Sequence, residues 1–412
     1  METNLYRLFA EYPRVTTDSR NIPEGSLFFA LRGARFDGNV YAKQALYSGA
    51  AYAIVDDPAV VADHRYILVP DVLAALQQLA SEHRQALGLP ILAITGSNGK
   101  TTTKELITKV LERNFNVGST KGNFNNHIGV PLTLLSFDTG TELGVVEMGA
   151  NNPGEIAALC DIAQPNYGLI TNVGLAHLEG FGSPEGVQRA KGELYDYLSE
   201  TGGKAFVRAE DQTLDRMVHE RGGLEVIGYS VHAAEGIENN LVGDYNLQNI
   251  AAAVAVGRYF GIAEGNIKEA IADYKPDNMR SQRVETDKNT VILDCYNANP
   301  TSMRSAIENL CNETAELPVA VILGDMGELG DYSKSGHIDI LELLAANNIE
   351  EQYLVGPKLA KAASKVPTTG QRKLFRDTDA LVEFLKDHPI TGRLILVKGS
   401  RATGLEKIAH LL

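Results

Sequence analysis

The stretch Ile91-Leu92-Ala93-Ile94-Thr95-Gly96-Ser97-Asn98-Gly99-Lys100-Thr101-Thr102-Thr103-Lys104 is an apolar strand running straight into a phosphate-binding loop and a helix start. A strand, a glycine-bearing turn and a helix N-terminus aim successive backbone N–H groups at one spot, where the helix dipole adds partial positive charge. Residues Thr95 to Thr102 are therefore expected to cradle a nucleotide, with Lys100 on the β- and γ-phosphates and the Thr101 hydroxyl on Mg2+. The long form of the loop carries a glycine five residues before Gly99. Ile94 stands there, so this is the shorter Thr-Gly-x-x-Gly-Lys-Thr form. A plain tight turn is the alternative, but a Gly-Lys-Thr framed by a buried strand and a helix seldom arises by chance.

Working outward, the 412 residues exceed one core and suggest two or three domains. Apolar content of 44% and charged content of 22% are those of a water-soluble globular chain. The apolar runs, such as Val319–Leu323, are too short to span a bilayer, and the opening Met1–Arg7 lacks the basic and apolar regions of a secretory signal. Cys160, Cys295 and Cys311 show no metal-ligand spacing and read as reduced core thiols of a cytoplasmic protein. A net charge of −14 argues against nucleic-acid binding. It also requires a local basic cluster wherever an anionic substrate is held.

Three segments separate on pattern, each an alternation of strands and helices. In 1–84, strands at Ser26–Leu31, Tyr52–Val55 and Tyr66–Val69 alternate with helices at Tyr41–Ser48 and Val72–Leu87; Gly88-Leu89-Pro90 breaks the last helix. In 85–278, strands are expected at Leu92–Thr95, Gly144–Glu147, Tyr167–Thr171, Lys204–Val207 and Val226–Tyr229, with helices at Thr102–Arg113, Ser183–Leu198 and Asn246–Phe260. In 279–412 the pattern restarts, with strands at Val291–Cys295, Val319–Leu323, Gln352–Val355 and Leu394–Lys398. The expected fold is α/β in three domains: a small N-terminal unit, a central P-loop parallel sheet, and a second, Rossmann-like doubly wound parallel sheet.

Ligands of parallel sheets gather at the carboxyl ends of strands, and several candidates lie there. Glu147 closes an apolar strand and suits Mg2+, or else caps a neighbouring helix. His177 follows the Leu169–Thr171 strand end and suits a metal, though a lone histidine is often structural. Lys191, in Ala-Lys-Gly-Glu-Leu, reads from its residues alone as a solvated lysine. The loop Lys121–Pro131 carries Asn123, Asn125 and Asn126 among glycines, which suits sugar or peptide polar groups, or a plain turn. Asn246 and Asn249 open an alanine-rich helix. Arg280 and then Asp294-Cys-Tyr-Asn297-Ala-Asn299-Pro300 follow, where Asp suits ribose hydroxyls and Asn an adenine edge. Val397-Lys398-Gly399-Ser400-Arg401 ends a strand with two cations and a hydroxyl, suited to a carboxylate or simply a charged sheet end.

Taken together these segments resemble the Mur ligases, the ATP-dependent amide-forming family of peptidoglycan assembly, over nearly the whole chain. The resemblance implies that Glu147 holds one magnesium and His177 serves a second. It implies that Lys191 is carbamylated and acts as a carboxylate at the metal site. It further implies that Asn249 contacts adenine, Arg280 the ATP phosphates, and Asp294 with Asn297 the nucleoside. The blocks Asp294–Met303, Gly324-Asp-Met-Gly-Glu-Leu-Gly330 and Val397–Arg401 are those of the branch that adds D-alanyl-D-alanine to UDP-N-acetylmuramoyl-tripeptide. Asn123, Asn125, Asn126, Asn299, Lys398, Ser400 and Arg401 then fall to substrate.

Asp18-Ser19-Arg20, Gly25–Gly33 and Asp37-Gly38 resemble that branch's UDP-binding domain, placing Ser19 and Arg20 on the nucleotide sugar. The usual His and Phe after Asp-Gly are replaced by Asn39 and Tyr41.

The implied chemistry is phosphorylation of the tripeptide carboxylate by ATP, then attack on the acyl phosphate by the dipeptide amine, with ADP and phosphate released. Domain closure is expected, since ATP contacts come from both the central and third domains. A monomer is the default. The rivals are another ligase of the superfamily and a P-loop switch. The Asp294–Pro300 block and the lack of Asp-Asn-Pro-Arg argue against the first, the lack of Asn-Lys-x-Asp against the second.

Overall fold

The computed structural model describes residues 4–276, 279–313, 317–368 and 370–412. Asp277 and Asn278, at the expected boundary between the second and third segments, lie outside the described residues.

The segment around the opening stretch is a six-stranded, wholly parallel sheet. Its strands run in the order Glu225–Tyr229, Lys204–Arg208, Tyr167–Ile170, Ile91–Thr95, Leu143–Glu147 and Val117–Ser119. The chain enters at Ile91–Thr95 and winds first to one side, then to the other, so the switch point of the sheet lies beside the phosphate-binding loop. The strand is buried on both faces, and its residues alternate between two cores. Ile91 and Ala93 join the helices Val72–Leu87, Glu155–Ala163 and Pro184–Thr201; Leu92 and Ile94 join Lys100–Leu111 and Asn246–Tyr259.

The N-terminal unit is a four-stranded parallel sheet, ordered Val15–Thr16, Leu27–Phe29, Tyr52–Val55 and Tyr66–Leu68. The helix Val72–Leu87 begins on Asp71, whose side chain accepts from the Ala74 N–H, and stops at Gly88 in the left-handed conformation (φ 63°). Both ends match the turn chemistry of the sequence. Asn39 is buried and accepts from the Asp56 N–H, while its amide donates to Asp37 and Asp56. In that place an asparagine ties a loop to the sheet.

The C-terminal sheet runs Gln282–Glu285, Thr290–Asp294, Leu394–Lys398, Val319–Gly324, Glu351–Val355 and Gln371–Phe375. It corrects the expectation of an all-parallel sheet, because Gln282–Glu285 pairs antiparallel with Thr290–Asp294. That edge strand is polar and half exposed, so it carries no apolar signal. The other edge, Gln371–Phe375, was missed for the same reason. Cys311 is a second correction: it is exposed, whereas Cys160 and Cys295 are buried. Among the described residues no helix is long and apolar enough to cross a membrane.

Candidate active site

The phosphate-binding loop is held from beneath by the strand end next to it. The Thr171 hydroxyl donates to the Asn98 carbonyl at 2.6 Å, the Asn172 amide to the same oxygen at 3.0 Å, and the Asn98 N–H to the Asn172 side chain at 3.1 Å. The Ser97 hydroxyl accepts from the Gly174 N–H and donates to the Gly174 carbonyl. Gly96 (φ 143°) leaves no room for a side chain, since a Cβ would fall 2.0 Å from the Thr171 hydroxyl. Gly99 (φ 80°) caps the helix that starts at Lys100, two residues earlier than expected, and a Cβ there would meet Asn249 at 2.6 Å. Thr171, Asn172 and Gly174 were not among the candidates read from the sequence. The signal was their position, at the end of the strand that neighbours the loop.

Lys100 is folded back on this loop, donating to the Gly96 carbonyl at 2.6 Å and the Ser97 carbonyl at 3.3 Å. Burial lowers its pKa to about 8, Glu147 opposes that shift, and the nearby charge of Arg280 adds to it. Arg280 thus reaches the same spot from the third domain. Its guanidinium lies 3.8 Å from the Tyr296 ring centroid, between two residues in left-handed backbone, Met279 (φ 57°) and Ser281 (φ 53°). Strain on both sides of one arginine is of the kind that collects at ligand clamps.

Glu147 is buried at the end of its strand. One carboxylate oxygen accepts from the Asn125 amide at 2.7 Å; the other, Oε2, is buried with no hydrogen-bond partner among the described residues. A buried carboxylate oxygen left unpaired is costly in a folded protein, and a cation is the partner that removes the cost. Thr101 is buried in the first turn of the helix that follows the loop. Among the described residues no three His, Cys, Asp or Glu side chains converge on a point. An ion held here needs phosphate oxygens or a further anionic group.

Lys191 is not the solvated lysine its sequence suggested: it is 1% exposed. Its Nζ lies 5.4 Å from the Phe181 ring centroid, and burial, with the Lys100 charge next in weight, lowers its pKa to about 7. Phe181 also meets the His177 ring edge-on, centroids 6.3 Å apart. His177, Phe181 and Lys191 thus form one group beside the loop.

The third domain closes on this face. The Asn299 amide donates to Asn98 Oδ1 at 2.8 Å, the Leu175 N–H to the Thr301 hydroxyl at 3.1 Å, and the Glu179 N–H to the Glu328 carbonyl at 3.1 Å. Against this geometry stand the comparisons with known proteins. Residues 11–84 match the model "Mur ligase family, catalytic domain", 94–238 "Mur ligase middle domain", and 279–401 "Mur ligase, glutamate ligase domain". The chain is 36% identical over 96% of its length to the UDP-N-acetylmuramoyl-tripeptide--D-alanyl-D-alanine ligase of Bacillus subtilis, covering 92% of that protein.

The chain belongs to the Mur ligase family.

Among solved structures, MurF from Acinetobacter baumannii superposes with a TM-score of 0.85 at 32% identity, over 97% of this chain and 93% of that one. MurF ligase from Thermotoga maritima in complex with ADP gives 0.81 at 28%, over 97% and 96%.

Within this ligase the residues expected on substrate divide. Asn123 stays on the exposed rim. Asn125 is committed to Glu147, and Asn126 accepts from the Ile128 and Gly129 N–H groups just ahead of the helix Gly129–Leu134. Asn299 caps the helix Pro300–Asn312 and reaches Asn98. Lys398 is buried, donating to Asp294 Oδ2 at 2.6 Å and the Asn297 carbonyl at 3.2 Å. Ser400 is buried beside Thr403, while Arg401 is exposed, 5.6 Å from the Tyr296 centroid.

Asn249 is buried, accepting from the Thr103 hydroxyl and donating to Asn246. Asp294 keeps Oδ1 for a 3.3 Å contact with the Ser281 N–H, and Asn297 is exposed next to it. Ser19 and Arg20 lie in a turn far out on the N-terminal unit, where Arg20 is 88% exposed and paired with Asp18 at 2.8 Å.

Proposed function

We propose that this ligase joins D-alanyl-D-alanine to UDP-N-acetylmuramoyl-tripeptide through an acyl phosphate, using ATP and releasing ADP and phosphate. The observation that carries this reading is the joining of two features at one sheet end. A phosphate-binding loop with Lys100 and Arg280 faces a buried, unpartnered carboxylate oxygen on Glu147. The likeness along the whole chain to ligases of that name supports the choice of substrates.

Each residue then has a task that its surroundings allow. Backbone N–H groups from Gly99 to Thr101 and the Lys100 ammonium hold the β- and γ-phosphates, and Arg280 offsets charge from the opposite domain. Thr101, Glu147 and His177 are the groups that would hold two Mg2+ ions, which supply charge neutralisation on the transferring phosphoryl group. Asp294, oriented by buried Lys398, and Asn297 face the nucleoside, with Asn249 beneath the loop. Arg401 is the exposed cation suited to the dipeptide carboxylate. Ser19, Arg20 and Asn123 lie where the long nucleotide-sugar substrate can reach them.

Lys191 suits carbamylation because the reaction with CO2 requires a neutral amine, and a pKa of about 7 supplies one near neutral pH. The product is a carboxylate where the metal site lacks one. The boundaries near residues 84 and 278, a monomeric state and a cytoplasmic location complete the reading.

The test is phosphate release from MgATP with the tripeptide substrate, with and without D-alanyl-D-alanine. Release that needs both, with a pentapeptide product by mass, is the expected result. Release with the dipeptide precursor and a free diamino acid would move the chain one step earlier. Release needing neither would make it a plain ATPase.

A further inference from the structure

The turn Gly327-Glu328-Leu329-Gly330 entered the sequence reading only as a branch signature. In the structure it is the part of the third domain that docks on the segment carrying His177. The Glu328 carbonyl accepts the Glu179 N–H at 3.1 Å, and a Cβ on Gly330 would lie 3.3 Å from the Glu179 Cα, so the two backbones are nearly in contact. Glu328 Oε2 approaches His177 Nδ1 to 2.5 Å, as a charge contact with the N–H direction out of line rather than a straight hydrogen bond. Both residues hold left-handed backbone, φ 53° at His177 and 57° at Glu328. Two strained residues meeting side chain to side chain across a domain boundary mark a built contact. The Phe181 ring packs against the same imidazole.

We propose that Glu328 is a positioning residue: by engaging Nδ1 of His177 across the domain boundary it fixes the imidazole and leaves Nε2 as the metal-binding nitrogen. A histidine whose second nitrogen faces a carboxylate has a fixed tautomer and orientation and is a more basic ligand. Because the two side chains come from different domains, the ligand is set only when the third domain is seated. Metal affinity therefore reports closure.

The inference rests on the reading of His177 as a metal ligand, and the experiment separates the two. Mn2+ binding in the presence of ADP is followed by electron paramagnetic resonance in the intact wild-type enzyme and in His177→Ala, Glu328→Ala and Glu328→Gln. His177→Ala and Glu328→Ala should each weaken the same Mn2+ by about tenfold or more. Glu328→Gln, which keeps the shape and an acceptor oxygen, should fall between Glu328→Ala and wild type, and it decides the matter if Glu328→Ala does not fold. Wild-type Mn2+ affinity in Glu328→Ala beside a clear loss in His177→Ala would overturn the inference alone. Unchanged affinity in His177→Ala would overturn the reading beneath it as well.

Discussion

The phosphate-binding face and the N-terminal turn at Asp18–Arg20 are built in opposite ways. Around the loop the supports of Asn98 come from far along the chain, from Thr171, Asn172 and Asn299, and among the described residues one Glu147 oxygen has no hydrogen-bond partner. At the turn, Arg20 pairs with Asp18 two residues away, and Asp63 does the same with Arg65. The first face carries cations and an unpaired anion in a low-dielectric place, where they are strong and unsatisfied. The second satisfies its charges locally and in water, where an ion pair contributes little. We propose that chemistry belongs to the first, and adjustable recognition of a long substrate to the second.

Removing Lys100 should break this contrast most sharply. Lys100→Ala is expected to lower kcat about a thousandfold, measured as ADP formation, without lowering the melting temperature, since a half-buried cation disappears. A loss below tenfold would mean that this face does not handle the transferring phosphate.

Lys191 gives the next largest effect. Lys191→Ala should lose about a hundredfold, Lys191→Glu should recover part of it, and wild-type activity should depend on added bicarbonate. Equal inactivity of both variants would remove the carbamate from the account.

Stability against pH sharpens the comparison further. Lys191 has an ordinary pKa of 10.5 when exposed on unfolding and about 7 in the fold. Between those values the unfolded chain binds more protons, so stability rises with pH from about 7 to 10. In CO2-free buffer, wild type should gain roughly 5 °C in melting temperature over Lys191→Met across that window. A parallel pH dependence of the two proteins would show that the amine is not buried as a neutral base.

The smallest effect belongs to the turn. Arg20→Ala should raise KM for the nucleotide-sugar substrate only a few-fold and leave thermal stability unchanged, as an exposed ion pair allows. A loss comparable to that of Lys100→Ala would erase the distinction between the two regions.

The contrast also explains what could be read from the sequence. The loop is contiguous, so Thr95 to Thr102 declared itself, as did helices with caps at both ends, such as Val72–Leu87. Glu147 and His177 stand out as candidates because strand ends are where ligands gather. Lys191 stood out only through the family resemblance, because a helix sequence does not say which face is sealed, here against Phe181. Asn125, Asn126, Asn299 and Lys398 were assigned to substrate by residue type. Their partners, Glu147, the Ile128 and Gly129 N–H groups, Asn98 and Asp294, are visible only once the chain is folded. Polar side chains at a strand end can hold a ligand or hold the residue that does. The polar edge strands Gln282–Glu285 and Gln371–Phe375 escaped because burial, not composition, marks them.

The central claim is that the buried face transfers the γ-phosphoryl group to a carboxylate. The most direct measurement uses tripeptide substrate labelled with 18O in its terminal carboxylate, turned over with ATP and D-alanyl-D-alanine. The released phosphate is then weighed by mass spectrometry. One 18O atom per phosphate is predicted, carried over when the acyl phosphate is cleaved. Phosphate free of label, formed at the same rate as the amide product, would contradict the account.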